Sequence, residues 1–220
     1  MAAEDAERAL CLWVNSPANP TGALDDLPAA AAWGRQRGVP VFSDECYAEF
    51  TWQGSPQTVL AEGDDGVVAV HSLSKRSNFA GGRAGFYAGD PALVDYLREV
   101  RKHVGMMVPG PVQAAAAAAL DDDAHVEDQR KRYRGRLDLG RRVFASLGID
   151  CPSPGGGFYL WAPAPAGDAW ALVDRVARQL GALVSPGEFY GPAGAGHVRV
   201  AMVATEDQVG LLAQRAGVAP

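Results

Sequence analysis

The sequence predicts an α/β fold in which a mostly parallel sheet, flanked by helices, is followed by a small α+β unit. Three observations predict it. Short apolar runs of strand length alternate with helical segments between residues 9 and 89, the pattern of a sheet built from crossover units. A long charged helical stretch then runs to about Leu147 and ends in Cys151–Gly157, where two prolines and three glycines mark a domain boundary or hinge. Beyond it come a strand, an amphipathic helix, an alternating strand and a capped helix. The expected division is residues 1–150 as part of a large domain with a long connecting helix, and 151–220 as a small C-terminal domain.

In order along the chain, Ala9 to Val14 is a strand closed by Asn15-Ser16-Pro17, and the turn Asn19-Pro20-Thr21-Gly22 follows. Asp25 or Asp26 caps a helix through Ala29–Ala32 and Trp33 that stops near Gly38. Val39 to Phe42 forms a second strand, with Ser43-Asp44-Glu45 at its carboxyl end. Gly66 to His71 is a third, with Lys75 just beyond it, and Ala84 to Ala88 a fourth. Ligands of open α/β sheets bind outside the carboxyl ends of strands. Asn19, Asp44 and Lys75 each fall just after one, so a shared site is expected.

Asp90-Pro91 opens the next helix, and its stripe Leu93, Leu97, Val100 and Val104 is expected to face the core. Pro109-Gly110-Pro111 breaks the chain, and Val112 to Leu120 is an alanine-rich helix expected to pack closely. Arg130, Lys131, Arg132, Arg134 and Arg136 alternate with acids on the long helix and read as a solvated face. After the hinge, Phe158 to Ala162 is a strand, and Leu172, Val173, Val176, Ala177 and Leu180 share one helix face. Leu183 to Ser185 is short and extended. His197 to Val203 alternates, with Val198, Val200 and Met202 on one side and His197, Arg199 and Ala201 on the other. Thr205 with Gln208 makes a capping box for the last helix.

Composition narrows the function classes. With 48% hydrophobic and 21% charged residues the chain has the make-up of a globular protein. A net charge of −6 without a basic face speaks against a nucleic-acid partner. No apolar run is long enough to span a bilayer, and the acidic start Met1–Arg8 shows no leader, so a cytoplasmic protein with no membrane partner is expected. Cys11, Cys46 and Cys151 lack metal-ligand spacing, so reduced thiols and no metal site are expected.

The chemistry concentrates in His71-Ser72-Leu73-Ser74-Lys75-Arg76-Ser77-Asn78-Phe79-Ala80-Gly81-Gly82-Arg83-Ala84-Gly85. One lysine sits between small hydroxyl residues, directly after an apolar run, ahead of glycines and an arginine. Such a lysine can form a Schiff base with a carbonyl, and the hydroxyls and arginine can hold a phosphate beside it. Both needs meet in pyridoxal 5′-phosphate. Taken alone, the stretch is equally compatible with an ordinary surface lysine after a strand.

The rest of the chain favours the cofactor. Ser72 to Gly85 satisfies the lysine pattern of the fold type I, class I/II pyridoxal-phosphate aminotransferases. Asn19-Pro20-Thr21-Gly22, Asp44 followed three residues later by Tyr47, and Arg199 match three more of that family's motifs, in the family's order. The chain resembles the family from Ala9 to its end. The resemblance implies Lys75 as the Schiff-base lysine and proton shuttle, and Asp44 as the partner of the pyridine nitrogen. Tyr47 and Asn19 would hold the ring's phenolic oxygen, and Ser72 and Arg83 the phosphate, with Ser74 a further candidate. Arg199, with Asn19, would bind the substrate α-carboxylate, and Gly156, Gly157 and Phe158 would flex as the site closes. His71, His103, His125 and His197 receive no role.

The resemblance also implies amino-acid and 2-oxo-acid substrates and a homodimer in full-length form. Phe42 to Phe50, Ser74 to Asn78 and Val108 to Gln113 look like bacterial N-succinyldiaminopimelate aminotransferase, which serves lysine and diaminopimelate synthesis. Arg76 and the loop Gly191–Gly196 are then candidates to meet an acidic acyl tail. Family members carry a substantial segment ahead of the first strand seen here, with a phosphate-cradling turn, a ring-stacking aromatic and a tyrosine for the partner subunit. A C-terminal portion of the family's chain, with an exposed sheet edge and apolar surface, is therefore expected. The competing classes are a lyase on the same scaffold, such as a carbon–sulfur lyase, and a non-catalytic aminotransferase-like remnant.

Overall fold

The computed structural model describes residues 3–219, which form two compact units. The first comprises the chain up to Pro17 and Leu24–Val126; the second comprises Ala18–Ala23 and Glu127 onward.

The first unit is built on a four-stranded sheet of order β1 (Leu12–Asn15), β2 (Val41–Asp44), β3 (Val67–Ser72) and β4 (Gly85–Gly89). The first three strands are parallel, and β4 runs antiparallel to β3 with Ser72 opposite Gly85. The short connection between them carries no helix long enough for a crossover, which explains the reversal. A short helix α1 (Ala3–Glu7) precedes β1. That strand starts three residues later than its apolar run, because the Leu12 N–H is the one that reaches the Pro40 carbonyl (2.8 Å), while Leu10 is 89% exposed.

Helix α2 (Leu27–Arg37) has the ends its sequence dictates. The Asp26 carboxylate accepts from the Ala29 N–H, and Gly38 closes the helix in the left-handed conformation. It lays Leu27 and Ala31 onto Val41, Val67, Ala69 and Val59, which form the core of this unit. One-turn helix α3 (Leu73–Arg76) follows β3, and α4 (Pro91–His103) follows β4, capped by Asp90, whose carboxylate accepts from the Ala92 and Leu93 N–H groups. Helix α5 (Gly110–Leu120) comes next.

The expected burial of the α4 stripe and the α5 alanines is not found. No residue of either helix is buried within the unit, and Val100, Val104 and Leu120 are exposed. Helix α4 packs against the edge strand β4. Its Leu93 and Leu97 are half-buried, and residues of α4 and α5 line one cavity.

Helix α6 (Ala124–Ser146) leads into the second unit, whose sheet is antiparallel: β5 (Tyr159–Pro163), β7 (His197–Ala201) and β6 (Ser185–Pro186), with β7 in the middle. Val198, Val200 and Met202 are buried, as the alternation demands. Helix α7 (Ala169–Leu180) buries Leu172, Val176 and Leu180. Helix α8 (Glu206–Arg215) begins with the reciprocal Thr205–Gln208 capping box. Gly140 of α6 lies close under Met202 and Leu160, and Tyr133 stacks on Phe158 at 4.7 Å. Most charges of α6 are solvated, but Arg136 is not: it lies over the Tyr133 ring and meets Glu206 at 3.4 Å.

Candidate active site

In the first unit the singled-out residues collect where β2 and β3 end. Asp44 is the last residue of β2, in register with Val70, and Ser72 is the last of β3. Ser72 is also the N-cap of α3, its hydroxyl oxygen accepting from the Ser74 N–H at 3.1 Å. Leu73, 2% exposed, anchors the turn and donates its N–H to the Ala84 carbonyl. Lys75 stands on that single turn, half-buried. One carboxylate oxygen of Asp44 accepts from the Cys46 N–H at 3.1 Å.

Cys46 reports on both groups. Its thiol is pushed up to about 12, first by burial and then by its hydrogen bond to Asp44 and that carboxylate's charge, while the Lys75 charge pulls it down. The carboxylate and the amine therefore lie within electrostatic reach of one sulfur. Tyr47 is buried at the start of the 3-10 turn Ala48–Phe50.

Ser72, Ser74 and Arg83 line one cavity of about 740 Å³, with Phe86 and Gln113 among its other walls. Arg83 holds a left-handed backbone conformation (φ 53°), which is costly for a residue with a Cβ. One arm of its guanidinium donates to the Ala80 carbonyl at 3.1 Å.

In the second unit Arg199 and Asn19 meet. The Arg199 Nη1 donates to the Asn19 Oδ1 at 2.9 Å. The guanidinium lies 4.5 Å from the centre of the Tyr159 ring and 4.8 Å from that of Tyr190, so two phenols flank it. Its Nε is buried without a hydrogen-bond partner. A planar cation held between rings, with a donor unspent, is suited to a carboxylate. The turn that carries Asn19 is fixed by Gly22 (φ 69°), whose carbonyl accepts from the Gly156 N–H at 2.9 Å. A Cβ there would lie 2.5 Å from that of Pro154.

One expectation is corrected. Arg76 is not open to an acyl tail, because its side chain is only 11% exposed and is engaged by Glu49, Asp123, Ser77 and the Ala119 carbonyl. Sequence reasoning also passed over Glu45, Tyr159 and Tyr190, and left His71 without a role. Glu45 is 1% exposed; its Oε1 accepts from the Val59 N–H at 2.7 Å and its Oε2 lies 3.4 Å from the His71 Nε2. The only signal for it was an acid directly after a strand-end aspartate.

Solved aminotransferases share this architecture. The substrate-bound structure of BacF from Bacillus subtilis superposes with a TM-score of 0.88 at 29% identity, over 98% of this chain and 57% of that one. An aminotransferase from Neisseria meningitidis gives 0.85 at 32% identity, over 98% and 58%. Residues 2–215 match the family "Aminotransferase class I and II", and the chain belongs to it.

Among curated relatives, a 4-dedimethylamino-4-oxo-anhydrotetracycline transaminase of Streptomyces rimosus is 46% identical over 93% of this chain and 58% of its own length. A probable aminotransferase of Mycobacterium tuberculosis is 49% identical over 90% and 49%. An LL-diaminopimelate aminotransferase of Dehalococcoides mccartyi is 30% identical over 92% and 54%. The chain thus spans about half the length of the curated relatives it matches.

Proteins of this family depend on pyridoxal 5′-phosphate. The donor set here fits that group. Asp44 closes β2, Lys75 stands on the turn after β3, and two serines line one cavity with an arginine. Among the described residues no cluster of His, Cys, Asp or Glu is arranged to hold a metal, and no helix is long and apolar enough to cross a membrane.

Proposed function

We propose that this chain carries the lysine-bearing part of an aminotransferase that moves an amino group from an amino acid to a 2-oxo acid. The observation that carries the proposal is the placement of Asp44 at the carboxyl end of β2 and of Lys75 on the turn directly after the neighbouring β3. When bound, pyridoxal 5′-phosphate supplies the electron sink. Every other task falls to side chains. Lys75 attaches the cofactor and moves a proton at its Nζ. Asp44 would hold the ring nitrogen and Tyr47 the ring oxygen, a role that the family resemblance gives to Asn19 as well. Ser72 and Arg83 bind the phosphate, and Arg199, with Asn19, orients the substrate carboxylate. On this reading residues 1–150 are part of the cofactor-binding domain and 151–220 the small domain. The family's full-length form would be a cytoplasmic homodimer, and this chain its C-terminal portion; for the second point the support is that the chain spans little more than half the length of its relatives.

For the substrate, N-succinyl-LL-2,6-diaminopimelate with 2-oxoglutarate is the first reading, supported by the diaminopimelate aminotransferases among the relatives. With Arg76 engaged elsewhere, Arg199 remains as its carboxylate receptor. A second reading, a transaminase acting on a polycyclic ketone, is favoured by the 46% identity to the Streptomyces rimosus enzyme.

The test is amino transfer measured on the purified protein with each amino donor and 2-oxoglutarate. Glutamate formed in equal amount to the new keto acid, and lost on Lys75→Ala, is the expected result. Release of ammonia or a thiol instead would move the chain to the lyases, and no turnover with no cofactor attachment would refute the reading.

A further inference from the structure

We propose that Arg76 is a positioning residue for Lys75: a three-way clamp that fixes the rotation of the single helical turn on which the reactive amine stands. The proposal rests on the assignment of Lys75 as the residue that attaches pyridoxal phosphate.

A helix of one turn has no stability of its own. Helix α3 spans only Leu73–Arg76, so its orientation must be set by contacts from outside. Leu73 supplies one, and the Ser72 cap a second. The Leu73 carbonyl also accepts from the Phe79 N–H at 3.1 Å, but the ties to segments beyond residue 85 belong to Arg76, which is three residues from Leu73 and therefore shares its face, while Lys75 points to another side. The Arg76 Nε donates to the Glu49 Oε1 at 3.3 Å, Nη1 to the Ala119 carbonyl at 2.7 Å, and Nη2 to the Asp123 carboxylate.

Those partners lie on two other segments of the first unit. Glu49 is in the 3-10 turn that follows Asp44 and Tyr47. Ala119 and Asp123 are at and just beyond the carboxyl end of α5. One guanidinium thus ties the lysine's turn to the segment that follows Asp44 and Tyr47 and to a helix end. Five N–H groups in a rigid plane make that possible, and a lysine at position 76 could satisfy one partner at most. The side chain is too enclosed for a solvated charge, and none of its bonds reaches the 740 Å³ cavity.

The sequence supplies internal controls, since it holds three lysines, Lys75, Lys102 and Lys131. Lys102 pairs with Glu99 and Lys131 with Asp128, both on exposed helix faces. Two readouts are mapped by peptide mass spectrometry. One is pyridoxal phosphate fixed to each lysine by borohydride. The other is trace acetylation of each lysine across pH, without cofactor. The melting midpoint is recorded in parallel.

Wild-type protein should fix the cofactor on Lys75 in preference to the other two. Arg76→Ala and Arg76→Lys should each lower that preference about fivefold or more and move the acetylation profile of Lys75 alone. Asp123→Ala should have a smaller effect in the same direction, and none when added to Arg76→Ala. Because the Asp123 side chain is 87% exposed, that variant folds even where an Arg76 variant does not. A lower melting midpoint with Lys75 labelling unchanged would show Arg76 to be merely structural and overturn the proposal, as would full rescue by Arg76→Lys. Wild-type protein without preference for Lys75, its acetylation still altered by Arg76→Ala, would refute the cofactor assignment while upholding the clamp.

Discussion

Replacing Glu45 by alanine should cost the first unit about 3 kcal/mol of stability, and replacing it by glutamine about 1 kcal/mol. The carboxyl group is 1% exposed and joins two elements that are distant in sequence. Its Oε1 takes the Val59 N–H at 2.7 Å, at the start of the 3-10 turn Val59–Glu62, and its Oε2 faces the His71 Nε2 at 3.4 Å on β3. Truncation to alanine strands the Val59 N–H, itself in a residue 1% exposed, which costs about 1–3 kcal/mol. The vacated side-chain volume adds roughly 1 kcal/mol. His71 contributes little to the loss, because its side chain is 28% exposed, stacks on Phe86 and can turn to water. The total therefore sits at the low end of about 3–5 kcal/mol for breaking a buried pair.

Glutamine keeps an acceptor for Val59 and a polar group facing His71, so most of the loss should be restored. Urea titration followed by tryptophan fluorescence gives both values, with the alanine midpoint falling by about 1 M or more. Hydrogen exchange at the Val59 amide reads the broken bond directly. An alanine variant within 1 kcal/mol of wild type, or a glutamine variant as damaged as alanine, would refute the reasoning.

Further perturbations test other parts of the structure. Arg199→Lys gives up the bond to Asn19 and the paired tyrosine faces, so the KM for the amino donor should rise about 10–100-fold in steady-state assays; an unchanged KM would remove Arg199 as the carboxylate receptor. Gly187→Ala places a Cβ 1.9 Å from the Gly194 carbonyl and 2.7 Å from that of His197, both backbone, and should cost about 3 kcal/mol by thermal melting. Gly81→Ala meets nothing within 4 Å and should cost less than about 0.5 kcal/mol, so equal losses would contradict the packing described. Burial raises the Cys46 and Cys151 thiols from 9.0 to about 12, whereas Cys11 is exposed, so a thiol reagent at pH 8 should titrate one sulfur quickly and three after denaturation. Both raised thiols stabilise the fold fully below pH 9.0, and that contribution is lost between 9.0 and about 12 as the unfolded thiols ionise first. A flat stability profile over that window would refute the assignment.

What the sequence disclosed divides along a physical line. Features fixed by local chemistry were legible: the Asp26 and Asp90 caps, the left-handed Gly38, the Thr205–Gln208 box and the alternation of His197–Ala201 all follow from neighbouring residues. Strand ends were less so. The start of β1 is set by a carbonyl at Pro40, which no local pattern reveals. The helical stripe at Leu93–Val104 announced an apolar face, but periodicity carries no information on what covers it, and within this unit Leu93 and Leu97 are only half-buried while Val100 and Val104 are exposed. Contacts between distant residues were invisible. Glu45 meets Val59 and His71, and Arg76 meets Glu49 and Asp123, only after the sheet has formed. The charge of Arg76 suggested a ligand, and burial of the same charge excluded it.

The two halves of the candidate chemistry are held in different ways, and this bears on how each can change. The amine of Lys75 stands on a turn too short to hold itself, so its geometry depends on Leu73, the Ser72 cap and Arg76, all inside the first unit. Arg199 stands in the central strand of the second unit's sheet, opposite Trp161 on one side and Ser185 on the other. Its guanidinium is fixed by rings and one amide rather than by a countercharge. An arginine already paired with a carboxylate could not offer its bidentate edge to a second one without breaking the first pair. Two phenol faces orient the cation without neutralising it, and the buried, unpartnered Nε shows that donor capacity has been left unspent. On the proposed role of Arg199, Tyr190, in the 3-10 turn before Gly191, is the position at which carboxylate affinity would be tuned without touching either Lys75 or the strand that carries Arg199.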